Sequence, residues 1–420
     1  MGSIDLNNAF NKSIFLLGAG ASYGTKDNRT GCRMSTEMFA DLESKINNPF
    51  ENNLSDIEAE TFRFLISTLH YQNKWRSLEK NADFIYEPNI EELALIIRRI
   101  RNRENYLPYP LTGNWADKLI QLESIYANEN KEVSLFDAIE RKLKSEFIPN
   151  WLTIENETSL NYLKPLIEIM SSPNLNEPLE FFTLNYDKTI ENFLQKHEVK
   201  PYCGFVSGEW RGINLKEVDN NFNKLSLTKL HGSLDWVRLL ESGNVKEINN
   251  LTEEEEQDID PSHKPYIVFG HGTKTFSFDP FFDMVLNFKK NLASRSYIFA
   301  VGYSFFDPYI NNLLIEALNN NPYSKLIIIN PSFGPTESEN NRNQKDSVVL
   351  ANYIEMIQEN SFYSELPEFN IKKINGSNRI LYLNIGFGKF LIEYFNDNAK
   401  AFIELIEKFE TEREKEENPF

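Results

Sequence analysis

Between Tyr297 and Ile329 the chain reads as strand, helix, strand, and no other stretch constrains the fold as much. Tyr297 to Val301 is a short apolar run that turns at Gly302. Asp307 is placed to cap a helix with Pro308 at its first position, and Ile310, Leu313, Leu314, Ala317 and Leu318 share one helical face before a second apolar run, Lys325 to Ile329. Two strands joined through a helix lie parallel. Parallel sheets are covered by helices on both faces and take ligands beyond the carboxyl ends of their strands. The strand signal recurs at Ser13 to Leu17, Leu179 to Leu184, Leu225 to Leu230, Tyr266 to Phe269 and Arg379 to Asn384. The expected fold is α/β, a Rossmann-like parallel sheet with helices on both faces, plus a large helical insertion.

The insertion is expected where the strand signal lapses. From about Ser35 to Met170 the apolar spacing is helical; Ile90, Leu93, Ile97 and Ile100 recur on one face before the basic residues Arg98, Arg99, Arg101 and Arg103. That basic group is expected to be a solvated face or to form internal ion pairs. The reading divides the chain into a discontinuous nucleotide-type domain, 1–34 with 178–420, around an insertion over 35–177. The acidic stretch Glu253 to Asp260 reads as a solvated loop, Val348 to Ile357 as a possible helix, and Phe387 to Phe409 as a closing amphipathic helix.

Composition removes several function classes. With 420 residues and 41% hydrophobic content the chain can bury a substantial core. Its 44 basic and 62 acidic residues leave a net charge of -18, which disfavours direct nucleic-acid binding, because that affinity comes largely from cationic groups. Cys32 and Cys203 are the two cysteines, too few for a disulfide framework or a four-cysteine zinc site. No apolar run approaches the roughly 18 residues of a membrane span. A cytoplasmic protein without membrane association is expected.

Chemistry-bearing residues cluster at the predicted strand ends. Gly18, Ala19, Gly20, Ala21 and Ser22 follow the first strand, where two side-chain-free positions would let backbone amides approach a diphosphate; Tyr23 and Gly24 depart from the usual dinucleotide spacing, and a plain tight turn is the alternative. Asn185 and Asp187 follow the next strand, as ligand contacts or as turn and cap residues. His197 is expected on the packed face of the following helix. His231, before Gly232 and Ser233, is a candidate general base or a hydrogen-bonded loop histidine, with His271 between glycines as its rival; His70 and His263 lack such a setting. Gly302, Tyr303 and Ser304 form a second turn able to approach phosphate, and Asn330 ends the neighbouring strand within reach of a ribose hydroxyl.

Taken in order, Gly-Ala-Gly-Ala-Ser at 18–22, Thr-Leu-Asn-Tyr-Asp at 183–187, Lys-Leu-His-Gly-Ser at 229–233, Val-Gly-Tyr-Ser at 301–304 and Ile-Asn at 329–330 resemble the motif series of the sirtuin-like superfamily. The resemblance implies that NAD is the substrate. It implies that Gly18 to Ser22 and Gly302 to Ser304 hold its phosphates, Asn185 and Asp187 the nicotinamide ribose region, Asn330 the adenosine ribose, and that His231 is the catalytic base. Protein deacylases of the superfamily carry a four-cysteine zinc module and a Pro-Asp-Phe-Arg stretch after the glycine loop, and this chain has neither. The Asn-Tyr-Asp and His-Gly-Ser forms and the insertion look instead like the bacterial NAD hydrolases of anti-phage defence. That branch implies nicotinamide and ADP-ribose as products, no metal, a homo-oligomer, and a possible HerA-type ATPase partner. A protein deacylase and a non-catalytic NAD or ADP-ribose-binding module are the alternative readings.

Overall fold

The structure, a computed structural model, describes residues 4–25, 27–48, 53–79, 87–102, 114–129, 132–213, 224–268, 279–331, 364–366, 371–373 and 379–417. Arg103, His271 and the 348–357 segment lie outside the described residues. The strands are β1 (Ser13–Leu17), β2 (Leu179–Thr183), β3 (Phe205–Val206), β4 (Glu209–Trp210), β5 (Leu225–Lys229), β6 (Trp236–Arg238), β7 (Val245–Glu247), β8 (Tyr297–Val301), β9 (Lys325–Ile329), β10 (Ser364–Leu366), β11 (Ile371–Lys373) and β12 (Ile380–Leu383). The helices are α1 (Leu6–Asn11), α2 (Ala19–Ser22), α3 (Ser35–Ile46), α4 (Asp56–Glu79), α5 (Ile90–Arg101), α6 (Trp115–Glu129), α7 (Leu135–Lys142), α8 (Ile148–Trp151), α9 (Lys164–Met170), α10 (Thr189–Lys196), α11 (Glu253–Gln257), α12 (Phe281–Ser294), α13 (Pro308–Asn320) and α14 (Phe387–Glu417).

The main sheet has the order β10-β11-β12-β9-β8-β1-β2-β5. Its six strands from β12 to β5 are parallel, and β10 and β11 extend it antiparallel. Because successive side chains point to opposite faces, each central strand feeds two cores. Phe15, Leu17, Phe299, Val301, Ile327 and Ile329 enter the core shared with α9, α10 and α14. Ile14, Leu16, Ile298, Ala300, Leu326 and Ile328 enter the core shared with α12 and α13. The fold is therefore the Rossmann-like α/β sheet expected, with helices on both faces. Strand order reverses at β1 and β8: the chain passes from β1 outward to β2 and β5, then returns to β8 and runs the other way to β9 and β12. Such a reversal opens a crevice at the carboxyl ends of the strands.

Helices α3 to α8 build a third core, around Phe39, Leu42, Phe62, Leu93, Ile97, Leu122, Ile139 and Trp151, which also takes in Tyr186 and Ile267 from loops of the main domain. This helical layer thereby rests on the ends of the sheet strands. Leu160, Leu163, Leu166, Ile169 and Met170, although within the helical stretch, pack under the sheet instead. Arg101 pairs with Glu140 at 2.5 Å, in keeping with internal ion pairing of the basic cluster.

Three local expectations differ from the structure, and one sheet lies where none was expected. Tyr266 to Val268 forms an isolated antiparallel bridge, Ile267 opposite Gly232, rather than a strand. Glu253 to Gln257 is a short helix, α11, because Thr252 and Glu255 cap its start reciprocally. A second, antiparallel sheet, β3-β4-β7-β6, occupies a region without clear strand periodicity. The closing helix is broken, with Asp397, Asn398 and Ala399 in left-handed backbone. No described helix is long and apolar enough to cross a membrane.

Candidate functional site

Two glycine turns meet backbone to backbone at the crevice. Gly18 N–H donates to the Val301 carbonyl and Gly20 N–H to the Gly302 carbonyl, each at 2.9 Å. A Cβ on Gly18 would stand 2.7 Å from the Gly302 carbonyl oxygen, and one on Gly20 would stand 2.8 Å from Gly302 Cα. Gly302 has φ of +57°, and a Cβ there would stand 2.5 Å from Ala21 N. All three glycines are thus required by contact between the turns themselves. The amides of Gly18, Gly20 and Ala21 donate within the protein.

The end of β2 is tied to the first turn through side chains. Asn185 Nδ2 donates to the Gly18 carbonyl at 2.8 Å and to Ser22 Oγ at 2.9 Å, which uses both of its hydrogens and leaves Oδ1 as the acceptor atom for a ligand. Ser22 Oγ donates in turn to Asp187 Oδ1 at 3.0 Å, and the same oxygen accepts from Thr189 N–H at 2.9 Å. Asp187 therefore does cap the turn into α10, as its residue type allows, while lying buried beside Asn185. From the other side, the buried Tyr162 hydroxyl donates to the Ala21 carbonyl at 2.7 Å.

Beneath this turn lies a buried lysine. Lys229, at the end of β5 with a side chain 1% exposed, donates to the Asp187 carbonyl at 2.5 Å and pairs with Glu191 at 2.6 Å. Burial works against its charge, but Glu191, Asp235 and Asp187 outweigh it and raise its pKa above the ordinary lysine value. Asp235, which also pairs with Lys188, is held below the usual carboxylate range by these lysines despite its own burial. The ammonium thereby fixes the backbone that carries Tyr186 and Asp187.

Two residues further along the chain His231 is buried, its carbonyl accepting from Val268 N–H at 2.9 Å and its ring 6.1 Å from that of Tyr186. Its Nε2 lies 3.3 Å from Oδ2 of Asp307; the two side chains are 7% and 9% exposed. Asp307 is the expected N-cap of α13, its Oδ1 accepting from Tyr309 and Ile310 N–H at 3.0 and 3.3 Å. One carboxylate thus serves the helix with one oxygen and faces the imidazole with the other.

Asn185, Asp187, His231 and Asp307 border one cleft together with the first glycine turn. Of the residues singled out in the sequence, Gly18, Ala19, Ser22, Asn185, Asp187, His231 and Ser304 line it together. Gly20, Ala21 and Gly302 stand behind the lining, in the interlocked turns. Asn330 is apart from the lining; its amide donates to the Leu383 carbonyl and its carbonyl accepts from the Tyr382 hydroxyl. The cleft also contains Cys32, Arg33, Glu91, Tyr186 and Asp307, which sequence reasoning did not place there. Arg33 is the one arginine or lysine among the described lining residues and pairs with Asp41 at 2.6 Å. The Cys32 thiol is pushed up to about 12, chiefly by burial and then by Asp187, so it stays protonated. The remaining described histidines lie elsewhere: His70 against Glu43, His263 against Asp260, and His197 exposed at the end of α10 with its ring on Phe193, not on the packed face. Among the described residues no group of three or more His, Cys, Asp or Glu side chains is arranged to hold a metal ion.

Comparison with known proteins bears on part of this site. No curated protein sequence matches the chain. A solved structure described as "Structural Basis for the Mechanism and Regulation of Sir2 Enzymes" aligns at 11% identity over 83% of this chain and 95% of that one, with a TM-score of 0.29. Residues 179–353 match the family model described as SIR2-like domain. That stretch includes Asn185, Asp187, His231, Gly302, Ser304 and Asn330, whereas the Gly18 to Ser22 turn precedes it. From β2 through β9, this chain is similar to the SIR2-like domain.

Proposed function

We propose that the cleft binds NAD and hydrolyses the bond between nicotinamide and ribose, giving nicotinamide, ADP-ribose and a proton. The observation that most supports this reading is the convergence of Asn185, Asp187, Ser22 and His231 on one cleft at the reversal of strand order. Cleavage builds positive charge on the sugar while nicotinamide leaves neutral, so the site has to orient the ribose, admit water and accept a proton. In this reading His231 accepts the proton from water or from a ribose hydroxyl, and Asn185 Oδ1 orients the ribose or the water. Asp187 borders the nicotinamide ribose. Gly18 to Ser22, Gly302 and Ser304 border the phosphates, with Arg33 as their cationic contact, because three amides of the first turn already donate within the protein. Asn330, just after β9 and outside the cleft lining, is assigned to the adenosine ribose by the resemblance alone. No step calls on a metal.

The domain division is part of the same proposal: 1–34 and 178–420 form one discontinuous NAD-binding domain around the insertion 35–177. Purified protein given NAD is expected to release nicotinamide and ADP-ribose in equal amounts, in the presence of chelator, and to leave acylated peptide unchanged. NAD consumption that requires acylated peptide would establish a deacylase instead, and NAD binding without turnover would establish a binding module.

The sirtuin-like resemblance further supports the role of an NAD-depleting effector in anti-phage defence, held in a homo-oligomer and controlled by a HerA-type ATPase. Light scattering is expected to report an oligomer, with turnover per chain rising as protein concentration rises through the assembly range. A monomer with full, concentration-independent activity that ignores the ATPase would overturn this part of the proposal.

A further inference from the structure

We propose that Asp307 is a positioning residue for His231: its Oδ2 accepts from Nε2–H, which selects the imidazole tautomer whose Nδ1 carries the lone pair. The proposal rests on the reading of His231 as the base, but its geometry stands independently. Asp307 and His231 come from separate strand ends, the turns after β8 and β5, and face one another at 3.3 Å with both side chains buried. A carboxylate so shielded from water interacts strongly with the ring beside it and favours a donor facing it.

The turn that carries Asp307 is built to aim it. Phe305 is buried with φ of +56°, a conformation that a bulky residue holds only where surrounding structure imposes it. Asn311 supplies part of that structure. Its Nδ2 donates to the Phe305 carbonyl at 2.6 Å, and its Oδ1 accepts from the Tyr303 hydroxyl at 2.8 Å. The Tyr303 hydroxyl also reaches the Asp307 carbonyl at 3.2 Å. Oδ1 is held by the first amides of α13, and Oδ2 of the same carboxylate lies 3.3 Å from the imidazole Nε2.

Separating the two roles calls for variants that keep the cap. Asp307→Asn retains a capping oxygen but turns an NH₂ group toward Nε2, which reverses the tautomer; Asp307→Ser retains a cap and is too short to reach the ring. Long-range ¹H–¹⁵N spectra of histidine-labelled protein in mildly alkaline solution, with the His231 signal assigned through His231→Ala, are expected to show a proton on Nε2 in the wild type and on Nδ1 in Asp307→Asn. With NAD, kcat is expected to fall roughly 10²-fold in both variants with KM little changed, at unaltered thermal midpoint. A wild-type His231 protonated on Nδ1 would overturn the proposal whatever the variants do, as would an Asp307→Asn protein with unchanged tautomer and kcat. If the wild type cleaves no NAD, the functional reading fails alone, and the tautomer measurement still decides the role of Asp307.

Discussion

His231→Ala is expected to lower the proposed NAD cleavage by roughly 10²- to 10⁴-fold, the range for removal of a general base, with a smaller effect on KM. Asn185→Ala is expected to lose a comparable factor, and in this case KM rises as well. The reason is structural: Asn185 Nδ2 is bonded to the Gly18 carbonyl and to Ser22 Oγ, so its removal frees the turn proposed to border the phosphates. Asn185→Asp is no milder, because it sets a carboxylate oxygen against the Gly18 carbonyl oxygen in place of a donor. Steady-state kinetics with NAD, with thermal unfolding as the check on folding, measures all three. Wild-type rates in both alanine variants would remove these residues from the reaction.

Gly302→Ala is expected to destabilise the fold by about 2–4 kcal/mol. Two costs coincide at this position. The left-handed φ of +57° penalises any side chain, and the new methyl would lie 2.5 Å from both Ala21 N and Gly20 C, backbone atoms that can retreat only if the two glycine turns separate. Separation would break the Gly18 to Val301 and Gly20 to Gly302 hydrogen bonds and open the cleft where the phosphates are proposed to lie. Gly386→Ala is the matched control, since a Cβ there meets nothing within 4 Å. Thermal or denaturant unfolding of the pair is expected to show a large loss for Gly302→Ala and a change within about 0.5 kcal/mol for Gly386→Ala. Equal stabilities would show that the two turns are not locked as described.

What was legible in advance was whatever is encoded over short range. The central strands read directly, because Ser13 to Leu17, Tyr297 to Val301 and Lys325 to Ile329 are short, largely apolar runs, and the parallel sheet followed from one strand, helix, strand unit around Asp307 and Pro308. The two-residue strands Phe205–Val206 and Glu209–Trp210 were not legible, since two residues have no period. Helix α11 was read as a loop because four consecutive glutamates outweighed the Thr252 and Glu255 cap that starts it. The run from Tyr266 looked like a strand because its apolar side chains are buried, but they are buried between the sheet and the helical layer, where the backbone makes a single bridge.

The sequence by itself determined the Rossmann-like sheet, the helical stretch between its first two strands, and the residues standing at the strand ends, because strand periodicity, caps and turn residues act over a few positions. Tertiary structure alone decided what those residues face. It set Gly302 against Gly20, so that their missing side chains serve turn-to-turn contact; it placed Lys229 beneath the Asp187 carbonyl; and it brought Asp307, legible only as a helix cap, to His231. Such pairings join residues far apart in the chain, and they arise only when parallel strands align their carboxyl ends, since nothing local in the sequence records which strand will lie beside which.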